Sequence, residues 1–187
     1  MRLRSGLLIG IFGLIVVLLG GWVFTLATAL LTYLALLEFF RMAEFKGIKP
    51  ATKTTLFSSF IIIISTYLDT IGVLEGEISN SILPICSVGI CTWLLLQPKP
   101  GTISDIAASI FGLFYLGFLP SYWIKLRGLD SVIIGSNQGF MSLENLSNTT
   151  GLHLTLTSCF LIVASDIGSY FIAVSYTHLT LPTIRSV

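Results

Sequence analysis

Ile162-Val163-Ala164-Ser165-Asp166-Ile167-Gly168-Ser169-Tyr170-Phe171 is the stretch on which the reading of this chain turns. It lies inside an apolar run from about Leu152 to Ala173. That run is long enough for a bilayer, whose hydrocarbon core takes about 20 apolar residues of helix to cross. A carboxylate near the centre of such a helix costs roughly 2.5 to 3.5 kcal/mol to insert. A chain seldom carries that penalty without a partner or a use for the charge. The stretch therefore predicts a membrane bundle in which Asp166 faces a polar cavity and holds a divalent metal.

The composition around it agrees. Of 187 residues, 54% are hydrophobic and only 10% charged, against about 25% charged in soluble domains. The mean hydropathy is +0.93. The expected fold class is all-α, a polytopic transmembrane helix bundle of about six spans over residues 1–173. A formal net charge of +1 offers no surface for nucleic acid. Cys86, Cys91 and Cys159 form no C-x-x-C pair and lie in apolar runs, so they read as small buried hydrophobes. Arg2 and Arg4 before an apolar stretch, with Ala27-Thr28-Ala29 beyond, mimic a signal peptide. The apolar run continues through Leu30 to Phe40, which predicts an uncleaved membrane hairpin instead.

The spans fall in order. The first runs from Gly6 to about Leu19, and Gly20-Gly21 makes a tight break before the second, Trp22 to Phe40. Arg41, Glu44, Lys46, Lys49 and Lys53 form the one dense charge cluster, where Gly47 and Pro50 stop the helix. The third span runs from about Thr55 to Leu74, with Asp69 near its end. The fourth runs from about Ile78 to Leu96 with a kink expected at Pro84. Gln97-Pro98-Lys99-Pro100-Gly101 is a turn, and Thr102 with Asp105 resembles a capping box at the start of the fifth span, about Ile103 to Leu119. Pro120-Ser121-Tyr122-Trp123 reads as an interfacial anchor. A polar loop from about Gly128 to Gly151 precedes the sixth span.

Charge sets the orientation. Six spans put Arg2, Arg4, Arg41, Lys46, Lys49, Lys53 and Lys99 on one side, and Lys125 and Arg127 in loops on the other. The richer side is expected to be cytoplasmic, and Asp166 falls in the cytoplasmic half of the sixth span.

On that span Thr155, Ser158, Ile162, Ser165 and Ser169 share one stripe at helical spacing. Four of the five carry hydroxyls. Asp166 lies beside the stripe, Tyr170 stands one turn beyond it, and Gly168 leaves room for a ligand. This is half of an oxygen-rich site for a hard cation such as Mg²⁺. The hydroxyls alone are explained as well by hydrogen bonds across a helix interface. Asp105 reads as a helix-start residue, Asp69 as solvated near an interface, and His153 as an interface residue. No Gly-rich phosphate loop, HExxH or GxSxG is present.

Three stretches go further. Leu37-Glu38-Phe39-Phe40-Arg41-Met42 follows the Gly20-Gly21-Trp22 break. Ser104-Asp105-Ile106-Ala107-Ala108 leads on to Gly117-Phe118-Leu119-Pro120-Ser121-Tyr122-Trp123-Ile124-Lys125-Leu126-Arg127. Ala164-Ser165-Asp166-Ile167-Gly168-Ser169-Tyr170 is similar to a D-x-G-[AS]-Y motif. In this order they resemble the phosphatidate cytidylyltransferases, or CDP-diacylglycerol synthases, in their cyanobacterial and plastid branch. The resemblance covers about residues 1–173. It implies transfer of a cytidylyl group from CTP to phosphatidate, giving CDP-diacylglycerol and pyrophosphate with Mg²⁺. It implies metal binding and catalysis by Asp166, with Ser165, Ser169 and Tyr170 shaping the substrate pocket. The implied partners are CTP, phosphatidate and the lipid bilayer, with a homo-oligomer left open. The implied site is a multi-pass position in a bacterial, cyanobacterial or plastid membrane.

The chain departs from that family after Ala173. A basic loop and a further acidic signature are expected there, and residues 174–187 resemble neither. They read as a non-native tail, and this polypeptide alone is expected to be inactive. The alternative reading is part of an ion-coupled transporter with Asp166 as relay.

Overall fold

The computed structural model describes residues 2–73, 78–98, 100–129 and 150–179. Every regular element among them is a helix: α1 (Arg2–Leu19), α2 (Gly21–Phe45), α3 (Thr52–Thr70), α4 (Ile78–Leu95), α5 (Ile103–Phe111), a π-helical segment (Gly112–Phe118), α6 (Ser121–Arg127) and α7 (Thr150–Leu179). The expected all-α class holds. α5, the π segment and α6 run on as one helical unit, Ile103–Arg127. Pro120 and Trp123, expected in an interfacial anchor, therefore lie at and inside the start of α6. The polar loop expected from about Gly128 falls mostly outside the described residues.

Helix ends follow local chemistry. Gly20 and Gly21 both adopt positive φ, 60° and 51°, where a side chain would be strained, and this breaks α1 from α2. At the end of α2, Gly47 turns left-handed, and the N–H groups of Ile48 and Gly47 close back on the carbonyls of Ala43 and Glu44. α4 continues through Pro84. α5 opens with the expected capping box, Asp105 N–H donating to Thr102 Oγ1 (3.3 Å) and Thr102 N–H to Asp105 Oδ2 (2.7 Å).

α3 is the central helix. It packs on α2, α4, the π segment and α6, and Ile62 and Ile63 are fully buried in the two apolar clusters of the core. One cluster joins Ile62 to Ile90, Leu94, Leu113 and Phe118. The other joins Ile63 to Phe24 and Ile124. α3 also buries Thr55, Ser58, Ser59, Ser65, Thr66 and Thr70. The Ser65 and Thr66 hydroxyls donate to the Ile62 carbonyl, so those two hydroxyls are satisfied inside the bundle. Two glycines let the π segment close in. A Cβ on Gly112 would stand 2.9 Å from the Phe40 ring, and one on Gly117 2.9 Å from Ser59 Cβ.

The expectation of six membrane spans is met only in part. Gly21–Phe45, Ile103–Arg127 and Thr150–Tyr176 are long and apolar enough to cross a bilayer. The apolar parts of α1 and α4, Leu8–Leu19 and Ser81–Leu95, are shorter. α3 has a suitable length, but its hydroxyls lower its hydropathy, because its surroundings are protein on most sides. Large apolar side chains such as Leu8, Phe12, Leu31 and Phe160 are exposed along α1, α2 and α7, the surface a lipid-facing helix presents.

The helix ends gather at two poles. The ends of α2 and α4 and the starts of α3 and α5 meet at one pole, which carries Lys46, Lys49 and Lys53. At the opposite pole Gly151 of α7 sits so close to Arg127 of α6 that a Cβ would lie 2.5 Å from its carbonyl oxygen. α7 thus starts at the pole away from the lysines and runs toward theirs. It continues without a break across residue 173 to Leu179, and residues 180–187 lie outside the described residues.

Candidate functional site

α7 holds the sequence-predicted residues in two halves. Its first turns are anchored: Thr155 is fully buried and donates to the Gly151 carbonyl (2.7 Å). Its second half stands clear of the bundle, and from Phe160 to Tyr176 every residue except half-buried Gly168 is exposed. The cavity expected around Asp166 is not formed by the described residues; Asp166 is exposed. The reason is geometric. α7 packs on α6 and α1 near its start, and α1 itself is exposed from Leu8 to Ile15, so among the described residues no neighbour closes over residue 166.

The local arrangement is nonetheless ordered. Ser169 Oγ donates to the Asp166 carbonyl (2.8 Å), which fixes the hydroxyl one turn from the carboxylate. Ser165 precedes it on the helix. Tyr170 is exposed, its ring edge-on to Phe171 at 6.1 Å. A Cβ on Gly168 would meet nothing within 4 Å. Among the described residues no three His, Cys, Asp or Glu side chains gather at one point. Asp166 with the Ser165 and Ser169 hydroxyls is an all-oxygen donor set with a single charge. That chemistry suits Mg²⁺, which commonly takes one or two carboxylates and fills its octahedron with water and substrate phosphate.

A second polar locus, unanticipated as a site, lies at the lysine-bearing pole. A cleft of about 690 Å³ is lined by Lys46, Gly47, Ile48 and Lys49 from the α2–α3 turn, and by Gly101, Thr102, Ser104 and Asp105 at the start of α5. Asp105 builds it. Beyond its capping role, Oδ1 accepts the Lys49 N–H at 2.6 Å. One turn on, Ser109 Oγ accepts the Ala51 N–H (2.9 Å) and donates to the Asp105 carbonyl (2.7 Å). The buried Asp105 and Ser109 thus latch the basic turn to α5. Thr102-x-x-Asp105 was readable as a cap. The bond to Lys49, 56 residues away, leaves no local signal.

At the opposite pole Arg127 is half-buried across the α1–α2 break. Its Nε donates to the Val17 carbonyl (3.0 Å) and Nη2 to the Leu18 carbonyl (3.3 Å). These are carbonyls that the end of α1 leaves without a helical partner. A Cβ on Gly20 would stand 2.7 Å from Nη2, so the glycine admits the guanidinium.

The model of the cytidylyltransferase family matches residues 1–184, nearly the whole chain. The chain belongs to this family. A phosphatidate cytidylyltransferase of Synechocystis sp. is 39% identical over 163 residues, covering 82% of this chain and 53% of the relative. Phosphatidate cytidylyltransferase 5, chloroplastic, of Arabidopsis thaliana is 34% identical over 172 residues, 88% of this chain and 43% of the relative. The chain thus spans about half the length of the curated relatives it matches. No solved structure matches it significantly. The cytidylyltransferase assignment agrees with the resemblance carried by Ser104–Ala108, Gly117–Arg127 and Ala164–Tyr170. Nothing in these relatives favours the transporter reading.

Proposed function

We propose that this chain is part of a multi-pass enzyme that transfers a cytidylyl group from CTP to phosphatidate, with its lysine-bearing pole in the cytoplasm. A phosphate oxygen of the lipid attacks the α-phosphorus of CTP. The α–β phosphoanhydride bond breaks, and pyrophosphate leaves with the bonding electrons. CDP-diacylglycerol remains in the membrane.

The observation that carries this reading is the Ser165-Asp166-Ile167-Gly168-Ser169-Tyr170 motif on α7, in a chain of the cytidylyltransferase family. α7 starts at the opposite pole. Asp166 lies 16 residues beyond Thr150, about 24 Å along the helix toward the lysine-bearing side, at a rise of 1.5 Å per residue. Asp166 is the residue we assign to bind Mg²⁺, with Ser165 and Ser169 as neutral oxygen donors. When bound, the ion supplies positive charge against the charge that builds on the phosphates. The protein's own work is positioning: Ser169 is fixed by the Asp166 carbonyl, Gly168 leaves space beside the carboxylate, and Tyr170 borders it.

The test is reconstitution of the complete reading frame in liposomes with phosphatidate, labelled CTP and Mg²⁺. CDP-diacylglycerol should form, and Asp166→Asn should lower kcat at least about 100-fold, the scale of losing a transition-state charge contact. Full activity in Asp166→Asn would refute the assignment.

A further inference from the structure

We propose that the groove between α3 and α4 is a binding site for an anionic phospholipid drawn from the bilayer, with the headgroup phosphate on Lys53 and one acyl chain laid between the helices. This site is separate from Asp166 and does not rest on the transfer reading above.

The groove encloses about 360 Å³, within the range of small-molecule sites, about 300 to 1,000 Å³. Lys53 stands at its mouth, one residue into α3, at the pole that also carries Lys46 and Lys49. Among the described residues lining it, Lys53 is the only charged one. From there the groove descends past Phe57 on α3 and past Trp93, Gly89 and Cys86 on α4. Trp93 to Cys86 spans about 10 Å of helix. Phe57 and Trp93 are exposed rims, and a Cβ on Gly89 would meet nothing within 4 Å, so the floor is open.

The arrangement selects its occupant by chemistry. A neutral apolar molecule has no use for an ammonium at the mouth. A free anion has no use for a 10 Å apolar channel below it. A phospholipid with net negative charge uses both, and the basic pole sits where tryptophan and lysine meet headgroups in a bilayer. A second helix fits poorly here. Close helix contact favours small residues four apart, whereas Gly89 has Ile85 and Trp93 at those positions.

The experiment is native mass spectrometry of the purified chain with equal amounts of phosphatidylglycerol and phosphatidylcholine, without CTP. Wild-type protein should retain phosphatidylglycerol preferentially. Lys53→Gln should lower that retention by about fivefold, the scale of one basic residue at an anionic surface, and Lys53→Arg should keep it. Gly89→Leu, which fills the floor, should lower retention of the same lipid. Equal retention of the two lipids by wild type overturns the site, as does unchanged retention in Lys53→Gln. Displacement by millimolar inorganic phosphate with Gly89→Leu behaving as wild type also overturns it, because the cation alone would then account for binding. Should Gly89→Leu fail to fold, the contrast between Gln and Arg at position 53 still decides. The readout is lipid occupancy, so its failure leaves the cytidylyl-transfer reading standing, and the converse.

Discussion

Asp105 shows how one side chain does two jobs at different sequence distances. One carboxylate oxygen completes a local cap with Thr102, and the other takes the Lys49 N–H from the α2–α3 turn. An amide in its place would point an NH2 group at one of two backbone donors. Asp105→Asn should therefore destabilise the chain by about 1 to 3 kcal/mol, the penalty for orphaning a buried donor. A lowered thermal unfolding midpoint in detergent checks this. Arg127 has a comparable place at the other pole, and Arg127→Gln should cost about 1 to 2 kcal/mol by releasing the Val17 and Leu18 carbonyls. An unfolding midpoint equal to wild type would contradict it. The cap half of Asp105 was legible because Thr and Asp stand three apart. The latch half and the Arg127 contact were not, because each joins residues brought near only by the packing of helices.

Among the elements, the π segment and α7 behave in opposite ways. Gly117 sits where a side chain would meet Ser59, so Gly117→Val should cost about 1 to 3 kcal/mol through overpacking of α3, read as a loss of folded protein on heating. Gly168 has open space around it, so Gly168→Ala should leave the unfolding midpoint unchanged or raise it, alanine being favoured in a helix interior by about 1 kcal/mol. The apolar runs foretold both helices. Their different surroundings were not foretold: all three glycines lie inside long apolar runs, and the linear order does not say which of those runs a neighbour will cover. Likewise the hydroxyls of α3 and those of α7 look alike in the chain. The first set is buried at the centre of the bundle, and all but the first turns of the second stand exposed.

For the whole molecule, the alternation of helix ends fixes which residues share a pole. Single cysteines at Lys46 and at Leu129, in a chain whose Cys86, Cys91 and Cys159 are replaced by Ala or Ser, should react with a membrane-impermeant thiol reagent from opposite faces of a sealed vesicle. Labelling of both from the same face would overturn the arrangement.

The order of the helices, the breaks at Gly20-Gly21 and Gly47, the cap at Thr102 and the lipid-loving character of the chain were set by the sequence itself. Each follows from contacts within a few residues or from composition, which the linear order contains. Only the tertiary structure decided that α3 lies at the centre, that Asp105 and Ser109 fasten the basic turn, that Arg127 closes the end of α1, and that Asp166 stands on an uncovered half of α7. Those outcomes depend on which helical faces meet, and the apolar pattern of a membrane helix, nearly uniform around its circumference, does not say which face that is.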